Sequence, residues 1–206
     1  MRILFCAAGR ELSPDERQLL IPLISKSRLN RPFQPSSDRI LAHALLRLAL
    51  PHAPEPVYDA SGKPYIEGGP YFSLSHSFLA GMCCISQHPV GGDTERVRDV
   101  NGDIFRRLCS PDELAEHDPF ALWTLKESLS KLSGEGISAF RRIRLKQLDE
   151  HIFCSDYSAV KLKYFGNISG YACAAAGVGV ENSEIECISV EKILEFAKEM
   201  SYNKRA

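Results

Sequence analysis

Asp93 and Glu95 stand two residues apart in the run Val90-Gly91-Gly92-Asp93-Thr94-Glu95. If that run is a strand, period-two alternation puts both carboxylates on one face, with Cα atoms ~7 Å apart. Gly91 and Gly92 just before them let a ligand approach the backbone closely. A third acid, Glu127, lies one helical turn before Lys131 in Trp123-Thr124-Leu125-Lys126-Glu127-Ser128. Two carboxylates ~4 Å apart repel by about 4 kcal/mol at an effective dielectric of 20, so three converging acids stay ionised only around a cation. Oxygen donors without His or Cys favour Mg²⁺ or Mn²⁺ over zinc. Mg²⁺ held by a few carboxylates completes its shell with water and substrate phosphate, which points to phosphoryl chemistry. The plain alternatives are a solvated Glu127–Lys131 pair on a helix surface and two ordinary surface acids on a strand.

Several groups could meet phosphate. Gly62-Lys63-Pro64 is a turn with a cation at its tip, Ser75-His76 ends a strand, Arg39 sits in a first helical turn, and Lys26, Arg28 and Arg31 form a sparse basic run. Each also has an ordinary explanation: a common turn, a structural histidine, a solvated basic face. No Walker A loop or GxGxxG fingerprint is present, so the usual nucleotide folds are not indicated.

The elements that must position these residues follow from turn and cap signals. A helix is expected from about Pro14 to Ser25, with Asp15 and Glu16 in its first turn. A second is capped by Ser36, Ser37 or Asp38, repeats Ile40, Leu41, Ala44, Leu45 and Leu48 at helical spacing, and ends at Pro51. Tyr71 to Ser77 and Gly81 to Ser86 read as a hairpin, followed by a strand from Val90 to Glu95. Ser110-Pro111-Asp112-Glu113 has capping-box spacing. Asp118-Pro119 opens a long helix through Leu132 that Gly134 ends, with Leu122, Leu125, Leu129 and Leu132 as its apolar stripe. That stripe leaves Glu127 and Lys131 facing water or a cleft. Arg141 to Lys146, Ala159 to Phe165, Gly170 to Val178 and Ile185 to Val190 are expected as strands, and Val190 to Met200 as a terminal helix. Helices mixed with hairpin-linked strands give an α+β class.

The chain is 44% hydrophobic and 25% charged, with 25 basic and 26 acidic side chains. That is a globular composition, and a formal charge of −1 excludes a globally cationic nucleic-acid coat; no nucleic-acid partner is expected. No membrane partner is expected either, because stretches such as Tyr171 to Val180 are shorter than the ~18–20 apolar residues that cross a bilayer. Met1 to Gly9 meets Arg10 and Glu11 too early for a signal peptide. The seven cysteines show no CxxC pair. Cys6, Cys83, Cys84 and Cys173 sit in apolar surroundings, a pattern of reduced thiols and a cytoplasmic location.

Taken in order, Gly62-Lys63-Pro64, Phe72-Ser73-Leu74-Ser75-His76-Ser77, Val90-Gly91-Gly92-Asp93-Thr94-Glu95 and Trp123-Thr124-Leu125-Lys126-Glu127-Ser128 with Lys131 and Gly134 resemble the 4′-phosphopantetheinyl transferase family, of the larger, surfactin-synthetase-activating type. Arg39-Ile40-Leu41 resembles the family's early arginine helix. The resemblance spans Arg39 to Gly136, about half the chain. Four motifs in the right order carry far more weight than any one.

The resemblance implies two pseudo-twofold-related α/β halves, residues 1–88 and 89–206, with coenzyme A in the cleft between them and a monomer that completes its own site. It implies Mg²⁺-dependent transfer of the 4′-phosphopantetheine arm of coenzyme A, the co-substrate, onto a serine of an apo acyl or peptidyl carrier protein, releasing adenosine 3′,5′-bisphosphate. Asp93, Glu95 and Glu127 resemble the metal-holding acids, Mn²⁺ being a possible substitute for Mg²⁺. Glu127 also resembles the proposed general base on the carrier serine, and Lys131 the lysine that neutralises the pyrophosphate. Arg39, Lys63, Pro64, Ser75 and His76 resemble coenzyme A contacts, with Lys26 and Arg28 as candidates for the 3′-phosphate. The family usually has apolar residues where Gly92 and Thr94 stand, and often an aromatic or apolar one at Ser130. Gly92 is expected to loosen the Asp93 strand, and Thr94, on the opposite face, to be tolerated. A Mg²⁺-dependent pyrophosphatase or nucleotide hydrolase using the same acids is the competing enzyme. A non-catalytic module docking an acidic partner or RNA through Arg141 to Lys146 is the competing binder.

Overall fold

The computed structural model describes residues 1–24, 35–59, 62–136, 140–156 and 158–203. Its elements are β1 (Arg2–Ala7), α1 (Pro14–Leu20), a 3-10 turn (Ile21–Leu23), α2 (Ser37–Ala49), the short β2 (Val57–Tyr58) and β3 (Pro64–Tyr65), β4 (Tyr71–Ser77), β5 (Ala80–Ser86) and β6 (Val90–Arg96). There follow α3 (Asp103–Leu108), α4 (Pro111–Glu116), α5 (Pro119–Ser133), β7 (Leu145–Gln147), β8 (Ile152–Ser155), β9 (Ser158–Ile168), β10 (Tyr171–Gly177), β11 (Ile185–Cys187) and α6 (Val190–Asn203).

Local chemistry sets most helix ends. Ser13 and Ser110 each accept from the amide three residues on, while Glu16 and Glu113 reach back to the cap amide. Asp118 accepts from Ala121 N–H, and Gly134, at φ 83°, terminates α5 in a left-handed conformation. The helix expected from Pro14 to Ser25 is shorter. It closes at Leu20 and tightens into the 3-10 turn, because Pro22 has no N–H to continue an α-helical ladder.

The strands form a mixed α/β architecture with a four-stranded sheet, β11-β1-β5-β4, and a five-stranded sheet, β6-β10-β9-β8-β7. In each, an early strand pairs antiparallel with the last strand of a hairpin: β1 with β5, and β6 with β10. The chain passes from the first sheet to the second at Gln87–Pro89. It returns after Asn182, so β11 pairs parallel with β1 and α6 packs with the first sheet.

Alternation along β1, β5 and β10 sorts their side chains into separate cores. Leu4, Cys83 and Ile85 pack against α1, α2 and α6, whereas Ala174 and Ala176 pack against Leu122, Leu125 and Leu129 of α5. Ile3, Phe5, Met82, Cys84, Val90, Tyr171, Cys173 and Ala175 form a third core shared by the two sheets. Strands buried on both faces read as unbroken apolar runs rather than alternating ones. All seven cysteines are free. Among the described residues no helix is long and apolar enough to cross a membrane.

The strand expected from Arg141 to Lys146 is corrected to Leu145–Gln147. Phe140 and Ile143 are fully buried without strand pairing. The backbone there is held by side chains: Arg144 N–H donates to Asp156, and Leu145 N–H donates to Glu113.

Candidate active site

The site lies where the facing edges of the two sheets meet α5. β6 presents Asp93 and Glu95 on one side and turns Thr94 into the shared core, 3.3 Å from Cys173 Sγ. A Cβ built on Gly91 would stand 1.8 Å from the Ser128 carbonyl oxygen. No side chain fits there, and backbone-to-backbone contact brings residues 127–131 against the acids. A Cβ on Gly92 would stand 2.2 Å from Cys84 Sγ. The expected loosening of this strand is not found: β6 pairs with β10 along its whole length, from Arg96↔Tyr171 to Val90↔Gly177. Close packing of three layers demands glycine here and outweighs its low strand propensity.

Lys131 is the hub. Its ammonium lies 2.6 Å from Asp93 Oδ1, 2.8 Å from Ser75 Oγ and 3.5 Å from Glu127 Oε1. The Glu127–Lys131 pair therefore faces the cleft, not bulk water. Burial works against the ammonium, but Asp93 and Glu127 outweigh it and raise its pKa. Burial, and then Asp93, push the Glu127 carboxyl up to about 7 despite Lys131. Burial also raises Glu95, opposed by a hydrogen bond from Ser77.

These residues fit a hard divalent cation. Asp93 is 1% exposed, and its Oδ2 is buried without a hydrogen-bond partner. The donors are all oxygen. Among the described residues no three His, Cys, Asp or Glu side chains form a ready-made metal cage. The arrangement suits an ion that keeps water and takes further oxygens from a substrate, which is the habit of Mg²⁺.

A cavity of about 290 Å³ opens beside Glu127 and Lys131, walled by Lys63, Pro64, Phe72 and Ser73. A second, of about 570 Å³, continues along Lys63, Pro64, Phe72 and Tyr65. Volumes of this order suit a nucleotide-sized ligand.

The structure gives the remaining predicted contacts more specific places. Lys63 Nζ donates to the carbonyls of Lys131, at 2.7 Å, and Leu132, at 3.2 Å, and so caps the C-terminal turn of α5. One of its three donors is left for a ligand. Ser75 is saturated. Its hydroxyl donates to Asp93 Oδ1 at 2.6 Å and accepts from Thr94 N–H and Lys131 Nζ. His76 Nδ1 lies 3.1 Å from Asp38 Oδ2 at the start of α2. Arg39 follows Asp38, its amide donating to Asp38 Oδ1. Lys26, Arg28 and Arg31 lie outside the described residues.

Sequence reasoning missed the support of the site. Ser77 Oγ donates to Glu95 at 2.8 Å, and Lys126, beside Glu127, is buried against Glu113 at 2.8 Å. The serine alternation at 73, 75 and 77 is a readable sign of the first. Nothing local announces the second.

Residues 89–176, from the start of β6 to the end of β10, match the family model described as the 4′-phosphopantetheinyl transferase superfamily. The stretch contains Asp93, Glu95, Glu127 and Lys131. The chain is 36% identical over 89 residues to a 4′-phosphopantetheinyl transferase of Bacillus subtilis, covering 37% of this chain and 40% of that one. It is 35% identical over 86 residues to the 4′-phosphopantetheinyl transferase gsp of Aneurinibacillus migulanus, covering 37% and 36%. It is 35% identical over 92 residues to the 4′-phosphopantetheinyl transferase psf-1 of Bacillus pumilus, covering 39% and 40%. The chain thus spans about two fifths of the length of these curated relatives. Over residues 89–176 the chain is thus similar to the 4′-phosphopantetheinyl transferase superfamily.

Proposed function

We propose that the protein moves the 4′-phosphopantetheine arm of coenzyme A onto a serine hydroxyl of an apo acyl or peptidyl carrier protein. The observation that carries this reading is the convergence of Asp93 from β6 and Glu127 and Lys131 from α5 beside a nucleotide-sized cavity. The match of residues 89–176 to the superfamily model and the chain's similarity to curated transferases support it. In the reaction the serine oxygen attacks the phosphorus bearing the pantetheine arm. A new P–O bond forms, the pyrophosphate bridge breaks, and adenosine 3′,5′-bisphosphate leaves. Mg²⁺, held by Asp93, Glu95 and Glu127, would draw charge from the diphosphate oxygens.

The protein's own groups divide the remaining work. Lys131 is the fixed positive charge that offsets charge building on the leaving bisphosphate. The serine proton goes to Glu127 or to water, a base being useful only within hydrogen-bond reach. Lys63 and Pro64 wall the cavity, and Lys63's remaining donor is available to a diphosphate. Arg39 and His76, around Asp38, are assigned to the phosphates of the adenosine end, with Lys26 and Arg28 further out. The two sheets, each closed by the same strand–hairpin pairing, support a pseudo-twofold relation between halves meeting near Gln87–Pro89. Seven free thiols support a cytoplasmic location, and we assign the protein as a monomer because acids, lysine and cavity all come from one chain.

The test is intact mass of a panel of apo carriers after incubation with coenzyme A and Mg²⁺. The wild type adds one phosphopantetheine, while Asp93→Ala and Glu127→Ala add none. Full labelling by either variant removes the site assignment. Free phosphopantetheine with unmodified carrier would make the protein a hydrolase.

A further inference from the structure

We propose that Ser75 and Ser77 are positioning residues that choose which oxygen of Asp93 and of Glu95 is offered to a divalent cation. The inference rests on the transferase reading above and deepens its metal site. β4 and β6 are edge strands of different sheets and lie side by side in the same direction. The edge of β6 away from β10 needs acceptors for its amides. Three serines on one face of β4 supply them. Gly92 N–H donates to Ser73 Oγ at 3.1 Å, Thr94 N–H to Ser75 Oγ at 3.3 Å, and Arg96 N–H to Ser77 Oγ at 3.1 Å. The sheets are therefore joined by a ladder of hydroxyls rather than by backbone pairing.

Two rungs do a second job. Ser75 Oγ donates to Asp93 Oδ1, which also receives Lys131, so only Oδ2 remains without a partner. Ser77 Oγ donates to Glu95 Oε2, and Arg98 lies 3.9 Å from that same oxygen. Each acid thus has one oxygen committed to the protein and one left over. Single-oxygen donation suits the small, octahedral Mg²⁺, whereas carboxylates that open to two oxygens suit Ca²⁺. Ser73 makes the same amide contact as its neighbours, but its hydroxyl faces the Gly92 carbonyl at 3.5 Å and neither acid. It is the built-in control for a purely structural ladder.

The experiment is titration calorimetry of the full chain with coenzyme A and MnCl₂, then CaCl₂, with no carrier present so that nothing turns over. Melting temperature is recorded in parallel. Ser77→Ala is expected to weaken Mn²⁺ binding by about 10- to 100-fold, the usual cost of losing a group that orients a metal ligand, and to narrow the preference for Mn²⁺ over Ca²⁺. Ser77→Thr, which keeps the hydroxyl, should restore both. Ser73→Ala, which removes an amide acceptor but no contact to either acid, should weaken Mn²⁺ binding far less than Ser77→Ala. Unaltered Mn²⁺ affinity in a folded Ser77→Ala overturns the proposal, and so does equal weakening by Ser73→Ala. A Ser77→Ala protein that does not fold passes the test to Ser75→Thr and Ser77→Thr. These must keep wild-type Mn²⁺ affinity, and its loss from either folded variant counts against the idea. Wild-type protein that binds neither coenzyme A nor Mn²⁺ overturns the transferase reading itself.

Discussion

Replacing Lys126 with methionine tests what holds α5 in place. The Lys126 side chain is 0% exposed and that of Glu113 6%. The ammonium donates to Glu113 Oε2 at 2.8 Å and to the carbonyls of Leu108 at 3.2 Å and Phe140 at 3.5 Å. Glu113 in turn accepts from Ser110 N–H at 2.8 Å and Leu145 N–H at 3.1 Å. One ion pair thus ties α4, the segment before β7 and the turn after α3 to α5, one residue from Glu127. Breaking a buried pair by removing one partner costs about 3–5 kcal/mol. Lys126→Met strands an anion that still holds two backbone amides, so the lower end, about 3 kcal/mol, applies. At about 2–4 °C per kcal/mol for a chain of this size, the melting temperature should fall by about 6–12 °C. Adding Glu113→Gln removes the stranded charge, but the two amides meet different oxygens of Glu113 and the single carbonyl oxygen of Gln accepts only one of them, so the double variant should recover part of the loss. Urea unfolding of the single and double variants reads the coupling directly. A Lys126→Met change within the ±0.5 kcal/mol or so typical of surface positions would refute the pair as a structural tie. The same pair sets an acid limit. Burial raises the Glu113 carboxyl, but Lys126 and the Ser110 and Leu145 donors outweigh it and leave its pKa lowered in the folded state. Its contribution is therefore complete above the unfolded carboxyl value and is lost as pH falls through the folded one. In Glu113→Gln, stability should change less steeply across that acid range.

Two other perturbations follow from the same contacts. Gly92→Ala drives a methyl into Cys84 Sγ and should cost about 1–3 kcal/mol as an overpacked core; Gly92→Ala with Cys84→Ala should be rescued, since the sulfur is the obstacle, and failure of that rescue in urea unfolding would rule out the clash. Gly91→Ala meets backbone, not a side chain, and no neighbouring truncation should restore it. Lys131→Ala should lower the single-turnover transfer rate by about 10²–10³-fold, as for loss of one preorganised charge-stabilising donor, with a much smaller change in coenzyme A affinity by calorimetry; equal losses in both would assign Lys131 to ground-state binding.

The legible parts of this protein are those where chemistry is local. Ser110 with Glu113, Asp118 with Pro119, and Gly134 mark helix ends through bonds made within a few residues, and the structure puts those ends where the letters do. The hairpin from Tyr71 to Ser86 and the acids on alternate positions of β6 follow from period two alone. The N-terminal strand Arg2–Ala7 and the strand Ile152–Ser155 are not legible, because they are short and their pairing is settled by distant partners. Nor is the helix Asp103–Leu108, because Gly102, at its start, offers no side-chain cap. Ser13-Pro14-Asp15-Glu16 and Ser110-Pro111-Asp112-Glu113 repeat the same four letters and make the same capping box, an internal echo carried by the letters themselves.

The site divides along the same line. Which residues carry charge is a matter of composition and spacing, and Asp93, Glu95, Glu127 and Lys131 are visible on that basis. What each charge is for depends on partners far away in sequence. Ser75 reads as a ligand contact from its motif, yet its donor and both lone pairs are committed to Asp93, Thr94 and Lys131. Gly92 reads as a weakness in a strand, yet Cys84 stands where its side chain would be. In both cases the second sheet supplies the missing partner, β4 and β5 closing on β6 from the other side of the chain crossing at Gln87–Pro89. A segment containing only residues 89–176 would retain all three acids and Lys131 yet lose Ser75, Ser77 and Cys84. Its β6 edge amides at 92, 94 and 96 would be left to water. The acids and lysine assigned to the chemistry thus all lie within residues 89–176, on β6 and α5, while the contacts that orient Asp93 and Glu95 come from both sheets.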